Sequence, residues 1–201
     1  LYSSGSTGFP KVAVHLHHDM VVCCETYAKQ VLGIRPTDRV YSAAKLFFAY
    51  GLGNAGYFPM SVGAESVLSP HRPTPEGVFE ILHRERPTLF FGVPTLYAAM
   101  LAVKEPEKRW DLTSLRLCVS AGEALPATLR DEWRRQTGRT IVNGFGASET
   151  LVIVLVDSDD GAGLRVSPGI DVRALDEASA PRSGASASSR GGVVQSGRRL
   201  P

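Results

Sequence analysis

No apolar run in the chain approaches the roughly 20 residues that a bilayer-spanning helix needs, and no secretory leader is expected from the opening residues. Cysteine is scarce. Cys23 and Cys24 are adjacent and Cys118 lies far off in an apolar run, so neither a disulfide framework nor a C-x-x-C redox pair is present. Such thiols suit a reducing compartment, and a cytoplasmic location is the expectation. An excess of one charge is missing too: 22 Lys and Arg face 20 Asp and Glu, a formal net charge of +2. A balance of that kind offers no broad positive field, so no nucleic acid and no membrane is expected as partner. The pairs Arg134-Arg135 and Arg198-Arg199 read as solvated surface.

What is present is an ordinary globular composition over 201 residues, 43% hydrophobic and 21% charged, enough for one domain or most of one. The most informative stretch is Leu1 to Lys11, LYSSGSTGFPK. Gly5 and Gly8 let the backbone turn its N–H groups toward an anion, and Ser3, Ser4, Ser6 and Thr7 add short hydroxyl donors. Lys11 adds charge. The spacing is not that of the Walker loop G-x-x-x-x-G-K-[ST], because Pro10 precedes the lysine and two residues separate Gly8 from Lys11 where the Walker glycine and lysine are adjacent. The loop opens the chain with no strand before it, so the chain is expected to be cut from something longer.

Strand and helix patterns alternate after it. Apolar residues recur at three and four between Met20 and Leu32, which predicts an amphipathic helix stopped by Gly33. Short strands are expected at 40–44, 66–69, 88–92, 115–120 and 140–142. Helices are expected after the Thr74-Pro75 cap to about Arg84, from Pro94 to Lys104 and from Pro126 to Gln136. This order predicts an α/β fold, a largely parallel sheet flanked by helices with ligand loops at the carboxyl ends of its strands. Segments 151–156 and 170–175 can still be strands. From Ala178 to Pro201 the chain is Ser, Ala, Gly and Arg with no acidic residue, and a disordered or aberrant tail is expected there.

Three further segments carry chemistry. Asn143 to Thr150, NGFGASET, offers the ring of Phe145, the backbone of Gly146, the hydroxyl of Ser148 and the carboxylate of Glu149: a face for a purine, a donor for phosphate, a ligand for Mg²⁺. Ser120 to Pro126, SAGEALP, has Gly122, against which a flat base can lie. Leu46 to Asn54, LFFAYGLGN, supplies aromatic and small residues for an apolar acyl pocket. His15, His17 and His18 lack the Cys or carboxylate companions of a metal site and read as a polar helix entry. Glu123 and Glu149 could be paired carboxylates, but their glycine context favours nucleotide binding.

Taken in order, these segments resemble the adenylate-forming (AMP-binding) superfamily, in which acyl-CoA synthetases, luciferases and peptide-synthetase adenylation domains are found. YSSGSTGFPK is similar to the signature [YF]-[ST]-[SG]-G-[ST]-T-G-x-P-K. The resemblance implies that Ser3, Ser4, Gly5, Ser6, Thr7 and Gly8 wrap the β- and γ-phosphates of ATP and that Lys11 neutralises departing pyrophosphate. Phe145, Ser148 and Glu149 occupy the places of the motif Y-G-x-T-E, implying adenine stacking, an α-phosphate contact and Mg²⁺ binding. Gly122, Glu123 and Ala124 fall at the adenine-side loop.

LFFAYGLGN, RLCVSAGEALP and KQVLGIR look most like the benzoate-CoA ligase group. That likeness implies Phe48, Ala49, Tyr50, Gly51 and Val152 around an aromatic acid, with coenzyme A as co-substrate. Val152 stands where those relatives tend to carry histidine, which alters the expected ring preference. The resemblance covers residues 1 to 177, the middle of the large N-terminal domain. A T-G-D aspartate, a hinge and a lysine-bearing small domain do not occur in these residues. The sequence is therefore expected to be part of an ATP-dependent acyl-CoA ligase, the alternative being a truncated product that binds nucleotide weakly or not at all. An adenylation domain of a peptide synthetase fits less well, since the pocket segment lacks the Asp that holds an amino group. Which acid is taken, and the oligomeric state, stay open.

Overall fold

Segments only three to six residues long become the strands of one seven-stranded sheet. The computed structural model describes residues 1–3, 9, 11–157, 163–175 and 193–198. A short hairpin opens it, β1 (Tyr2–Ser3) against β2 (Lys11–Val12), followed by α1 (His17–Cys23). The sheet then builds from β3 (Arg39–Ser42), β4 (Glu65–Val67), β5 (Leu89–Gly92), β6 (Leu117–Ala121), β7 (Ile141–Gly146), β8 (Ile153–Asp157) and β9 (Leu164–Val166). Their order is β4-β3-β5-β6-β7-β8-β9, parallel from β4 to β7 and antiparallel beyond. The largely parallel α/β architecture expected from the alternation is what forms.

A sheet covered on both faces needs strands that are apolar on both sides. All four residues of β5 are buried, and successive side chains divide between two cores. Val40, Leu89, Phe91, Val119 and Ala121 join one, Tyr41, Phe90 and Cys118 the other. On the second face lie α4 (Pro75–Glu85), α5 (Pro94–Leu101), α6 (Pro106–Arg109) and α7 (Ala127–Thr137). Thr74 caps α4 by accepting from Gly77 N at 3.2 Å, and Pro75 occupies the first turn, where its missing N–H costs nothing. Trp133 of α7 is fully buried with its ring 4.9 Å from Tyr97 of α5.

At the amino ends of the strands a buried charge ties the sheet together. Asp38, just before β3, accepts from Arg116 at 2.8 and 2.6 Å, from Thr88 Oγ1 at 2.7 Å and from Arg35 N at 2.7 Å. Burial acts against its charged form, but these donors outweigh burial and hold its pKa below the ordinary carboxylate value.

The structure departs from the expected elements in places. The helix expected from Met20 to Leu32 is α1 continued by a π-helical segment, Cys24–Ala28. Cys23, Cys24, Tyr27 and Ala28, across the junction of the two, all lie in the core. Segment 46–53 is helical in its second half: α2 (Ala49–Leu52), a π-helical stretch Gly53–Tyr57, then α3 (Phe58–Met60). The strand expected at 140–142 runs on through Gly146. In the tail expected to be disordered, Val193–Arg198 forms β11, antiparallel to β10 (Ile170–Leu175), where two adjacent valines suit an extended backbone. The rest of 178–201 lies outside the described residues. Among the described residues no helix is long and apolar enough to cross a membrane.

Candidate active site

In an open parallel sheet the chain can part only where strand order reverses, leaving a crevice beyond the carboxyl ends. Here β3 leads to β4 on one side and then to β5 on the other, and a cavity of about 720 Å³ lies at that end. Its walls come from the segments that follow β3, β4, β5, β6 and β7.

One wall is apolar. Phe48, Ala49 and Tyr50 line it together with Gly53 and Asn54 from the π-helical stretch. The Tyr50 hydroxyl turns away from the space, 3.2 Å from the carbonyl oxygen of Gly92 and 3.3 Å from that of Val119, where it has one proton to donate. Burial, with nearby Tyr27 adding to it, raises its pKa well above that of a free phenol. Tyr50 thus offers the cavity a ring. Val152 lines the opposite side with Leu151 and Ile153. Gly51, expected beside the acid, is buried behind the wall: a Cβ there would stand 2.1 Å from Lys45 O and 2.4 Å from Ala44 O. Its role is close backbone approach, not contact with the cavity.

The segments after β6 and β7 contribute glycines and small residues. Gly122 lines the cavity with φ +90°, a conformation that side-chain-bearing residues rarely adopt. Its neighbours Glu123 and Ala124 are exposed and outside the lining, and Thr95 Oγ1 donates to Glu123 Oε1 at 3.5 Å. Gly146, Ala147 and Ser148 line the cavity after β7, whereas Phe145, 48% exposed, and Glu149, exposed, flank it without lining it.

Residues 147–151 make a tight turn. Thr150 Oγ1 accepts from Ala147 N at 3.2 Å, and Leu151 follows with φ 59°, a left-handed conformation that a buried leucine adopts only under constraint. Tyr57, at the end of the π-helical stretch, donates its hydroxyl to Leu151 O at 3.0 Å. From the other side His15 Nε2 lies 2.7 Å from Ser148 O. Lys11 is exposed in β2, paired with Ser3 in β1. Ser4, Gly5, Ser6, Thr7 and Gly8 lie outside the described residues.

Sequence reasoning missed several residues at this end of the sheet. Lys45 lines the cavity and donates its ammonium to Ser69 O at 2.6 Å and to His71 O, tying the loop after β3 to the loop after β4. Its signal was a lone cation directly before the apolar segment LFFAYGLGN. Asn54 is 2% exposed and its Oδ1 has no partner. Arg72 lines the cavity as well. Among the described residues no group of three His, Cys, Asp or Glu side chains could hold a metal ion, so a cation here would need oxygen ligands from a bound phosphate or water besides one carboxylate.

The family model described as AMP-binding enzyme matches residues 1–194, past the boundary expected at 177. A benzoate–CoA ligase of Thauera aromatica is 51% identical over 181 residues, covering 88% of this chain and 34% of that protein. A 4-hydroxybenzoate–CoA/benzoate–CoA ligase of Rhodopseudomonas palustris is 54% identical over 150 residues, 74% of this chain and 27% of that protein. The crystal structure of an anthranilate CoA ligase, AuaEII, in complex with anthranoyl-AMP superposes with a TM-score of 0.83 at 35% identity, covering 90% of this chain and 36% of that one. The chain spans about a third of the length of the curated relatives it matches. Model match and fold agree on one conclusion: the chain belongs to the AMP-binding enzyme family.

Proposed function

We propose that the protein carrying this chain activates an aromatic carboxylic acid of the benzoate class with ATP and passes the acyl group to coenzyme A. The observation that carries this reading is one cavity lined both by the apolar, ring-bearing residues Phe48 to Tyr50 and by Gly122 and Gly146–Ser148. An aryl group suits the first set and a nucleotide the second.

In the first half-reaction a carboxylate oxygen of the acid bonds to the α-phosphorus of ATP and the bond to the β-phosphate oxygen breaks, giving acyl-adenylate and pyrophosphate. In the second, the sulfur of coenzyme A bonds to the acyl carbon, the bond to the AMP oxygen breaks, and the thiol proton is lost. Neither half needs a side-chain nucleophile. Help comes from fixed donors placed where charge gathers. Ser3 to Gly8 and Lys11 would hold the β- and γ-phosphates, Ser148 the α-phosphate, and Phe145 with Gly122 and Gly146 the adenine. Glu149, exposed at the turn beside the cavity, would hold Mg²⁺, which when bound supplies charge neutralisation across the phosphates. A site built from one carboxylate and substrate oxygens suits that ion, which keeps several waters and seldom takes an all-protein cage.

The test is ATP–pyrophosphate exchange by the full-length protein with benzoate, hydroxybenzoates, 2-aminobenzoate and hexanoate. Exchange driven by one or more aryl acids and weak with hexanoate is expected. Exchange driven by hexanoate as well as by any aryl acid, or by none of them, would reject the reading.

A further inference from the structure

The turn that carries Ser148 and Glu149 is held from outside by a residue 133 positions away. His15 stands in the segment between β2 and α1, its side chain 13% exposed, with Nε2 2.7 Å from Ser148 O. A carbonyl oxygen only accepts, so Nε2 must carry hydrogen and donate. The other ring nitrogen, Nδ1, is 3.5 Å from Asp19 Oδ2. That carboxylate is itself fixed, since it accepts from Leu16 N at 3.1 Å at the start of α1. The imidazole therefore stands against the first turn of α1 with its Nε2–H aimed at one backbone oxygen.

The oxygen belongs to an unusual turn. Leu151 sits at φ 59°, and a strained backbone persists only where its surroundings over-determine it. Tyr57 constrains the turn at Leu151 O, from the acid-side wall. His15 constrains it at Ser148 O, from the segment that continues β2 and Lys11. The imidazole is thus a physical tie between the strand bearing Lys11 and the residues proposed to meet the α-phosphate and its metal.

We infer that His15 is a positioning residue, which sets Ser148 and Glu149 against Lys11 for attack at the α-phosphorus. This rests on the acid-activating reading above. A displacement at the α-phosphorus, with the acid's carboxylate oxygen entering and the pyrophosphate oxygen leaving, can lose about 100-fold for a misplacement of about 1 Å, so the effect belongs on turnover more than on binding of the acid. His15 would touch no substrate.

The test compares His15→Gln, which can return an N–H near the Nε2 position, with His15→Leu, which cannot, in the full-length protein. In acid-dependent ATP–pyrophosphate exchange the leucine variant is expected to lose about tenfold or more in kcat with KM for the acid changed by less than about twofold, and glutamine to recover to within about threefold. No loss in His15→Leu, equal loss in both variants, or a loss confined to KM for the acid would overturn the inference. A second measurement does not depend on activity: amide hydrogen exchange of residues 147–151 should be faster in His15→Leu than in wild type and restored in His15→Gln. Unchanged protection in the leucine variant would overturn it as well. If the wild type shows no exchange with any acid, the proposed function falls, while the amide measurement still decides whether His15 holds the turn.

Discussion

Tyr57 and Leu151 are 94 residues apart in sequence, yet the hydroxyl of the first donates to the carbonyl of the second at 3.0 Å. One belongs to the π-helical stretch behind the apolar wall, the other ends the turn after β7. Removing the hydroxyl leaves a left-handed leucine without one of its constraints. Tyr57→Phe is expected to lower unfolding free energy by about 1 kcal/mol, the usual net worth of one such bond, and to raise KM for the acid. Urea denaturation and pyrophosphate exchange would read the two effects. An unchanged urea midpoint would mean the turn holds without it.

A methyl group at position 51 would meet backbone, since the added Cβ would lie 2.1 Å from Lys45 O. Backbone at that distance must move, and Lys45 with it. Gly51→Ala is expected to cost about 1–3 kcal/mol of stability and to disturb the apolar wall from behind. The check is the urea midpoint with acid-dependent exchange. A stable variant of normal activity would contradict the close approach.

Glu149 is exposed, so replacing it should leave stability within about 0.5 kcal/mol. Glu149→Gln is expected to reduce adenylation by about two orders of magnitude or more, as the loss of one electrostatic partner does at comparable sites. Titration of Mg²⁺ in the exchange assay should show a higher metal requirement. Near wild-type exchange at ordinary Mg²⁺ would remove Glu149 from the site.

Asp38 has a pKa held below its ordinary value by Arg116, Thr88 and Arg35 N–H, against the pull of burial. A carboxylate of depressed pKa adds stability that is present above the unfolded value of about 4 and lost as pH falls through the folded value. Wild type should therefore lose stability below about pH 4 more steeply than Asp38→Asn. At neutral pH the pair itself matters more: Arg116→Ala leaves a carboxylate 3% exposed without its cation and should cost about 3 kcal/mol. Urea midpoints across pH 3 to 7 would test both, and parallel curves for wild type and Asp38→Asn would refute the first.

The centre of the sheet was legible because strands such as Leu89–Gly92 are short apolar runs bounded by proline and polar residues. Half-legible were the helices, whose caps at Thr74 and Gly138 are local signals. The π-helical turns were not, since a change of register in Cys24–Ala28 or Gly53–Tyr57 is decided by what the helix packs against. Within the site, Phe48, Ala49, Tyr50, Gly122, Gly146, Ser148 and Val152 line one cavity. Gly51 did not, because a glycine that avoids a clash reads the same in sequence as one that makes room for a ligand. Nothing local marks His15 or Tyr57, which matter through carbonyls supplied by distant chain.

The direction of the Tyr50 phenol has a chemical result for any acid that enters. Its proton is directed at the Gly92 and Val119 carbonyl oxygens, so a guest meets at this place the ring and not a free phenol proton. A hydroxyl or amino group on the guest finds no acidic partner there, and selection among substituted acids must come from other positions.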